Sequence, residues 1–283
     1  MPTFQTPGPI SVTMELGIGD VVVSAGERTD TVVELRPSNP SSKSDVQAAE
    51  RSTAEFANGV LLIKTPKPRP LDFSSKRRSV DVSIELPAGS TVSGDASIAD
   101  LRSTGRLGEV RFKSSIGRFQ LDHTGPLRVN TSGGNITVER AEGKAEITTG
   151  TGSIRVGEIE GPAVVKNSNG RTEIGLVTGE VQVRAANGDI TVERALGRRV
   201  DAKTANGSIV IGEVARGSVV LKTATGDIEV GIGGGVAAWL DLHTSAGRVT
   251  NSLADAAGGP ANPDQAVEVR VNTSFGDITI RRS

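Results

Sequence analysis

A glycine recurs at positions 117, 134, 152, 170, 188, 207, 226, 247 and 276, at intervals of 17, 18, 18, 18, 19, 19, 21 and 29 residues. It sits in a short word whose clearest copies are ANGDITV, ANGSIVI and ATGDIEV. A period of this length leaves few folds open, because each unit can bury its apolar face only against its neighbours. Two places after the glycines stand Phe119, Ile136, Ile154, Thr172, Ile190, Ile209, Ile228, Val249 and Ile278. Four places after stand Leu121, Val138, Val156, Ile174, Val192, Ile211, Val230, Asn251 and Ile280. Seven and five places before come apolar pairs such as Val181 with Val183 and Val219 with Leu221. Three places before lies a mostly hydroxylic column: Ser114, Thr131, Thr149, Asn167, Ala185, Thr204, Thr223, Thr244 and Thr273.

Within each run the offsets share one parity, so a unit holds two strands of period 2 with their apolar side chains on one face. Asn-Gly between such strands is also a hairpin signal, and hairpins in series would give an antiparallel meander. A meander needs alternation only. A parallel solenoid stacks equivalent positions, so residue types recur in columns, as they do here, and the glycine marks a corner needing φ > 0. The expected fold is therefore all-β: a single-chain, right-handed parallel β-solenoid whose coils follow the period above. Residues 1–80 are expected to form an irregular N-terminal β cap, and 81–283 a solenoid of about nine to ten coils, in one continuous elongated domain. In the cap, ISVTMELGIGDVVVSAG, TVVELRP, GVLLIKT and SVDVSIELPAG alternate as strands without keeping the period, and DVQAAERSTAEFA suggests a short helix. Charges on Arg281 and Arg282 are expected to blunt the edge of a last strand. With both ends blocked, a monomer or small side-to-side oligomer is expected, not an end-to-end filament.

Several chemistries fit the sequence poorly. The position after the glycine alternates acidic residues with Arg or Ser, unlike the consecutive Asp of a calcium-binding roll, and suggests charge pairing of Arg171 with Asp189 and Asp227 with Arg248. GIGGGV, Gly231 to Val236, lacks the Lys and helix of a phosphate loop and reads as an excursion between coils. The two histidines, His123 and His243, are far apart in sequence, and with no Cys the usual zinc ligand sets and thiolate nucleophiles are excluded. The strands carry two inward residues at offsets of two, unlike the six-residue words of hexapeptide acyltransferases. Outward charges such as Glu139, Arg140, Glu193, Arg194 and Glu229 are mixed in sign, as on a solvated face rather than the cleft of a polysaccharide-cleaving β-helix.

The strand ending LPAG at Leu86 to Gly89, followed by TANGSIVI, TATGDIEV and TSFGDITI, resembles a bacterial β-strand-repeat family of unknown function that carries an adhesin label. The resemblance covers most of the chain and implies a β-helical scaffold without an established activity.

The functional expectation is a non-catalytic scaffold that presents an elongated surface to a protein partner, with no cofactor and no metal. The alternative is a carbohydrate-associated β-helix, either a surface adhesin or a glycan-cleaving enzyme. A formal net charge of −1 argues against nucleic acid. No stretch is long and apolar enough for membrane insertion, and MPTFQTPGPISV does not read as a signal peptide, so the expected place is the cytoplasm, with the cell surface as the alternative. The one clear basic cluster, KTPKPRPLDFSSKRR, gathers Lys64, Lys67, Arg69, Lys76, Arg77 and Arg78 around Asp72, with Phe73 as an apolar anchor. It is the expected contact for an acidic protein surface or phosphorylated ligand.

Overall fold

The structure, a computed structural model, describes residues 2–66, 78–253 and 266–283. It divides into two compact units, Met1–Glu142 and Gly143–Ser283. Each is a stack of parallel β-coils in which one strand of every coil joins one sheet and the next strand joins a second.

In the second unit one sheet runs Ala145–Thr151, Ala163–Asn169, Val181–Asn187, Arg199–Lys203, Gly217–Thr225, Ala266–Phe275, Ala237–Ala246. The other runs Ile154–Glu160, Thr172–Val177, Ile190–Ala195, Ile209–Val214, Ile228–Ile232, Ile278–Arg282, Val249–Asn251. Side chains at the predicted inward offsets fill the space between them: Val181, Val183, Ile190, Val192, Ile209, Ile211, Val219, Leu221, Ile228 and Val230 are all buried. Branched residues suit this packing because each lies over its equivalent in the next coil, as Ile190 does over Ile209 and Ile209 over Ile228.

The glycine corners show why the word is so strict. A Cβ on Gly188, whose φ is +142°, would lie 2.1 Å from the carbonyl oxygen of Gly170 in the coil beside it. The hydroxylic column completes the corner. Thr204 donates to the Gly188 carbonyl at 3.2 Å, Thr223 to Gly207 at 3.0 Å, Thr273 to Gly226 at 3.1 Å and Thr244 to Gly276 at 2.9 Å. Each hydroxyl thus satisfies a carbonyl in the adjoining coil, and Thr204, Thr223 and Thr273 do so where water is excluded. Thr223→Val keeps the shape but removes the donor, so it should cost about 1–2 kcal/mol in denaturant unfolding. The exposed Thr225→Val should cost less than about 0.5 kcal/mol, and equal effects at the two sites would contradict this role.

Coils do not stack in chain order. The C-terminal strand Ala266–Phe275 lies between Gly217–Thr225 and Ala237–Ala246, and Ile278–Arg282 lies between Ile228–Ile232 and Val249–Asn251. This corrects the expectation of a charged edge at the C-terminus. Arg281 bonds Glu229 at 2.5 Å, and Arg282 donates to the Val236 carbonyl at 2.8 Å. Both charges tie neighbouring segments together, and the strands at that edge are Ala237–Ala246 and Val249–Asn251.

In the first unit the sheets run Leu127–Gly133, Val110–Ile116, Thr91–Ile98, Ser11–Ile18, Val60–Lys64, Thr53–Ala57, and Ile136–Glu142, Phe119–Thr124, Leu101–Thr104, Val21–Gly26, Val80–Pro87, Asp30–Pro37, Thr3–Gln5. Ser11–Gly26 breaks the sequence period yet forms a coil in register with its neighbours, Ser11 pairing with both Thr91 and Val60. Among the described residues of this unit the antiparallel pairings are those of Thr3–Gln5 and Asp30–Pro37, Asp30–Pro37 and Val80–Pro87, and Thr53–Ala57 and Val60–Lys64. The expected helix is Lys43–Glu50, capped by Ser42, and is shorter than DVQAAERSTAEFA because TAEFA alternates as the strand Thr53–Ala57. That strand turns through Asn58 (φ 50°) and Gly59 (φ 77°), a true Asn-Gly hairpin. Inward Gly94 makes room for a ring: its Cβ would come within 2.4 Å of Phe112, which packs edge-on against Phe119 at 5.8 Å.

Candidate functional site

Of the basic cluster named above, Lys64 ends the strand Val60–Lys64, half-exposed and 3.7 Å from Glu15. Arg78 immediately precedes the bridge from Ser79 to Ile18. Lys67, Arg69, Phe73, Lys76 and Arg77 lie outside the described residues.

The outer face of the second unit carries a different basic feature. Four places before the corner glycines, on the parity opposite to the core, the words VVKNSNG, QVRAANG, DAKTANG and VLKTATG place Lys166, Arg184, Lys203 and Lys222. Strand register sets them side by side, Lys166 beside Arg184, Arg184 beside Lys203, and Lys203 beside Lys222. Adjacent strands lie about 4.8 Å apart, so this is a row of cations at the spacing of the sheet itself. Asn272 and then His243 continue it. Two residues along each strand come Ser168, Ala186, Ala205 and Ala224, exposed and too small to fill the surface.

Beyond that low strip runs a row of amides. Asn187 donates through Nδ2 to Oδ1 of Asn169 at 2.9 Å, and Asn206 donates to Oδ1 of Asn187 at 2.9 Å. Each ladder bond uses one amide hydrogen and one lone pair, and Asn169 also donates to the Gly150 carbonyl at 3.4 Å, so the remaining groups of these exposed side chains are open to solvent. The row passes through Thr225 and reaches Phe275, which is 62% exposed. On the other side of the cations a shallow depression is lined by Val164, Gln182, Arg199 and Asp201.

Asp201 is the carboxylate that anchors the row. Its oxygens meet the Arg184 guanidinium at 2.7 and 3.1 Å, and Lys203 stands at 3.6 Å. Burial pushes the Asp201 carboxyl up, but hydrogen bonds and charge from Arg184, with the charges of Lys203 and Arg199, outweigh it and hold the group below its usual range. A depressed carboxylate stabilises the fold above its unfolded value near pH ~3.9, and that contribution is lost as pH falls through the folded value. Arg184 is thereby locked in place with its charge largely answered. Lys166 and Lys222 have no carboxylate partner among the described residues.

The opposite outer face of this unit differs. Arg155 pairs with Glu173 at 2.7 Å and Arg171 with the same carboxylate at 3.4 Å, beside Thr191 and Glu193. There the charges are mixed, as expected, and largely neutralise one another. The cation-bearing sheet also carries carboxylates, Glu146, Asp201 and Glu268 among them, but the position four before the corner glycine is cationic in four successive coils. The position after each glycine is also structural. Asp189 accepts from the Ser208 amide at 3.0 Å, Asp227 from the Asp277 amide at 2.8 Å, and Asp277 from the Arg248 amide at 2.7 Å. The expected pairing of Asp227 with Arg248 is thus replaced, because the C-terminal coil lies between them. Arg171 does approach Asp189, at 4.0 Å. His123 is engaged by Asp122 at 2.8 Å.

The family model described as Toastrack DUF4097 matches residues 13–281. None of the curated proteins compared with the chain matches it. Among solved structures the chain is similar to a protein from Parabacteroides merdae that carries an adhesin label, at 13% identity, covering 100% of this chain and 95% of that one, with a TM-score of 0.44. It is also similar to a protein from Bacteroides fragilis with the same label, at 12% identity, covering 100% and 96%, with a TM-score of 0.40.

Proposed function

Starting from the fact that the chain belongs to the Toastrack DUF4097 family, we propose that it is a non-enzymatic scaffold that holds a partner along an outer face of its coils. The observation that carries this reading is the row from Lys166 to Lys222, in which a cation recurs in four successive coils while the core positions beneath it keep the fold. Such repetition suits a ligand that is itself extended, since four successive coils offer the same contact. A catalytic centre instead needs unlike groups converging on one point. No helix among the described residues is long and apolar enough to cross a membrane, and a partner reaches this face from solvent. The test is to display glycans and peptides on an array, incubate them with the protein, and recover what binds. Ligand recovered unaltered by mass spectrometry is the expected outcome, and ligand recovered shortened or chemically modified would overturn the reading.

A further inference from the structure

The cation row, the low strip beside it and the amide row together define a ligand. We infer that this face of the second unit binds an extended acidic polysaccharide, a chain of uronic-acid sugars lying across the strands. The inference rests on the non-enzymatic reading above and adds the partner's chemistry. Spacing argues first. Cations in adjacent coils repeat at about 4.8 Å, whereas an acidic peptide strand lying across them offers same-face carboxylates only every ~6.6–6.8 Å. One ring of an extended polysaccharide advances by close to the distance between strands and successive rings turn over, so same-face carboxylates return at every second coil and stay in step with the row. The second argument is the amides. Asn187 and Asn206 keep spare donors and acceptors beside their ladder bonds, and sugar hydroxyls, each both donor and acceptor, pair with them at every ring. The strip of Ser168, Ala186, Ala205 and Ala224 leaves room for flat rings between the two rows. Phe275, in line with the amides, offers an apolar face to a terminal ring. Single-stranded nucleic acid instead relies on aromatic platforms under successive bases, and the four coils that carry the cations place Ser or Ala there.

The experiment is calorimetric titration of the full chain with polygalacturonate oligosaccharides, and separately with neutral cello-oligosaccharides, poly-glutamate and a single-stranded oligonucleotide. Polygalacturonate is expected to bind tightest, and to weaken as salt rises past roughly 0.15 M. A Lys166→Gln, Lys222→Gln variant, which leaves the Asp201 cluster intact, should melt like the parent and bind polygalacturonate about tenfold more weakly. An Asn169→Ala, Asn187→Ala, Asn206→Ala variant should lose about tenfold toward polygalacturonate while its weak binding of poly-glutamate is unchanged. The inference is overturned if polygalacturonate does not bind, if poly-glutamate or the oligonucleotide binds as tightly, or if the lysine variant binds like the parent. Chromatography of the titrated sugar separates the two claims. Polygalacturonate that is bound and then shortened sinks the non-enzymatic reading, and absent binding sinks only the ligand.

Discussion

Gly188→Ala is expected to destabilise the protein by about 3–5 kcal/mol, far more than adding one methyl group to a surface turn. Two costs combine. The backbone there has a φ of +142°, which side chains rarely adopt, and the new Cβ would sit 2.1 Å from the Gly170 oxygen and 2.6 Å from its carbonyl carbon. Both atoms are backbone, held by the Gly170 amide, which donates to the Asn187 carbonyl at 2.9 Å, and by Asn167 Nδ2, which donates to the Gly170 oxygen at 2.9 Å, so neither can rotate aside. Relief requires the two coils to separate. Gly234→Ala is the control, because nothing lies within 4 Å of a Cβ placed there. Thermal melting of the pair should show a large drop for Gly188→Ala and almost none for Gly234→Ala. Similar melting of both would mean that the corner glycines do not stack.

Ile209→Asp should be comparably severe, costing about 4 kcal/mol or more. Ile209 is fully buried, with Ile190 on one side and Ile228 on the other in the same column. A carboxylate there meets only aliphatic neighbours along the column, and the coils on both sides depend on the same contact. Amide exchange should therefore rise across the neighbouring strands together. Glu193→Lys, one coil away on the outer face, should shift stability by no more than about 0.5 kcal/mol. Loss confined to the Ile209 strand, or none at all, would show that the inward register is wrong.

The inner half of this structure was legible because burial acts on every coil alike. Val183, Ile190 and Ile209 repeat at fixed offsets for the same reason that each is buried, and the hydroxyl three places before the glycine repeats because each corner carbonyl needs a donor. The cation row was equally visible at offset four, yet its charges merge with those of the other sheet when outward residues are taken together. Separating the parities before and after each corner brings Lys166, Arg184, Lys203 and Lys222 into one line. Coil order was not legible. Equivalent columns make any coil a suitable neighbour for any other, so sequence similarity cannot say that Thr273 reaches Gly226 while Thr244 reaches Gly276. Ser11–Gly26 was hidden for a related reason, since its ladder partner Thr91 is separated from it by 80 residues. Asn-Gly carried two meanings. At Asn58–Gly59 both residues take positive φ and the chain reverses, whereas at Asn187–Gly188 only the glycine does and the coil continues.

The central claim is that position in the stack follows the column and not the order along the chain, because the functional face exists only if the columns do. Cysteine pairing tests it directly, since the chain has no native cysteine. Lys222 lies beside Asn272, and His243 lies on the far side of Asn272. Neighbouring strands at about 4.8 Å are within disulfide reach, and strands two apart at about 9.6 Å are not. Under mild oxidation, Lys222→Cys with Asn272→Cys should form an intramolecular disulfide in the folded protein, and Lys222→Cys with His243→Cys should stay reduced. Efficient bonding of the second pair with none in the first would contradict the coil order and the row of cations built on it.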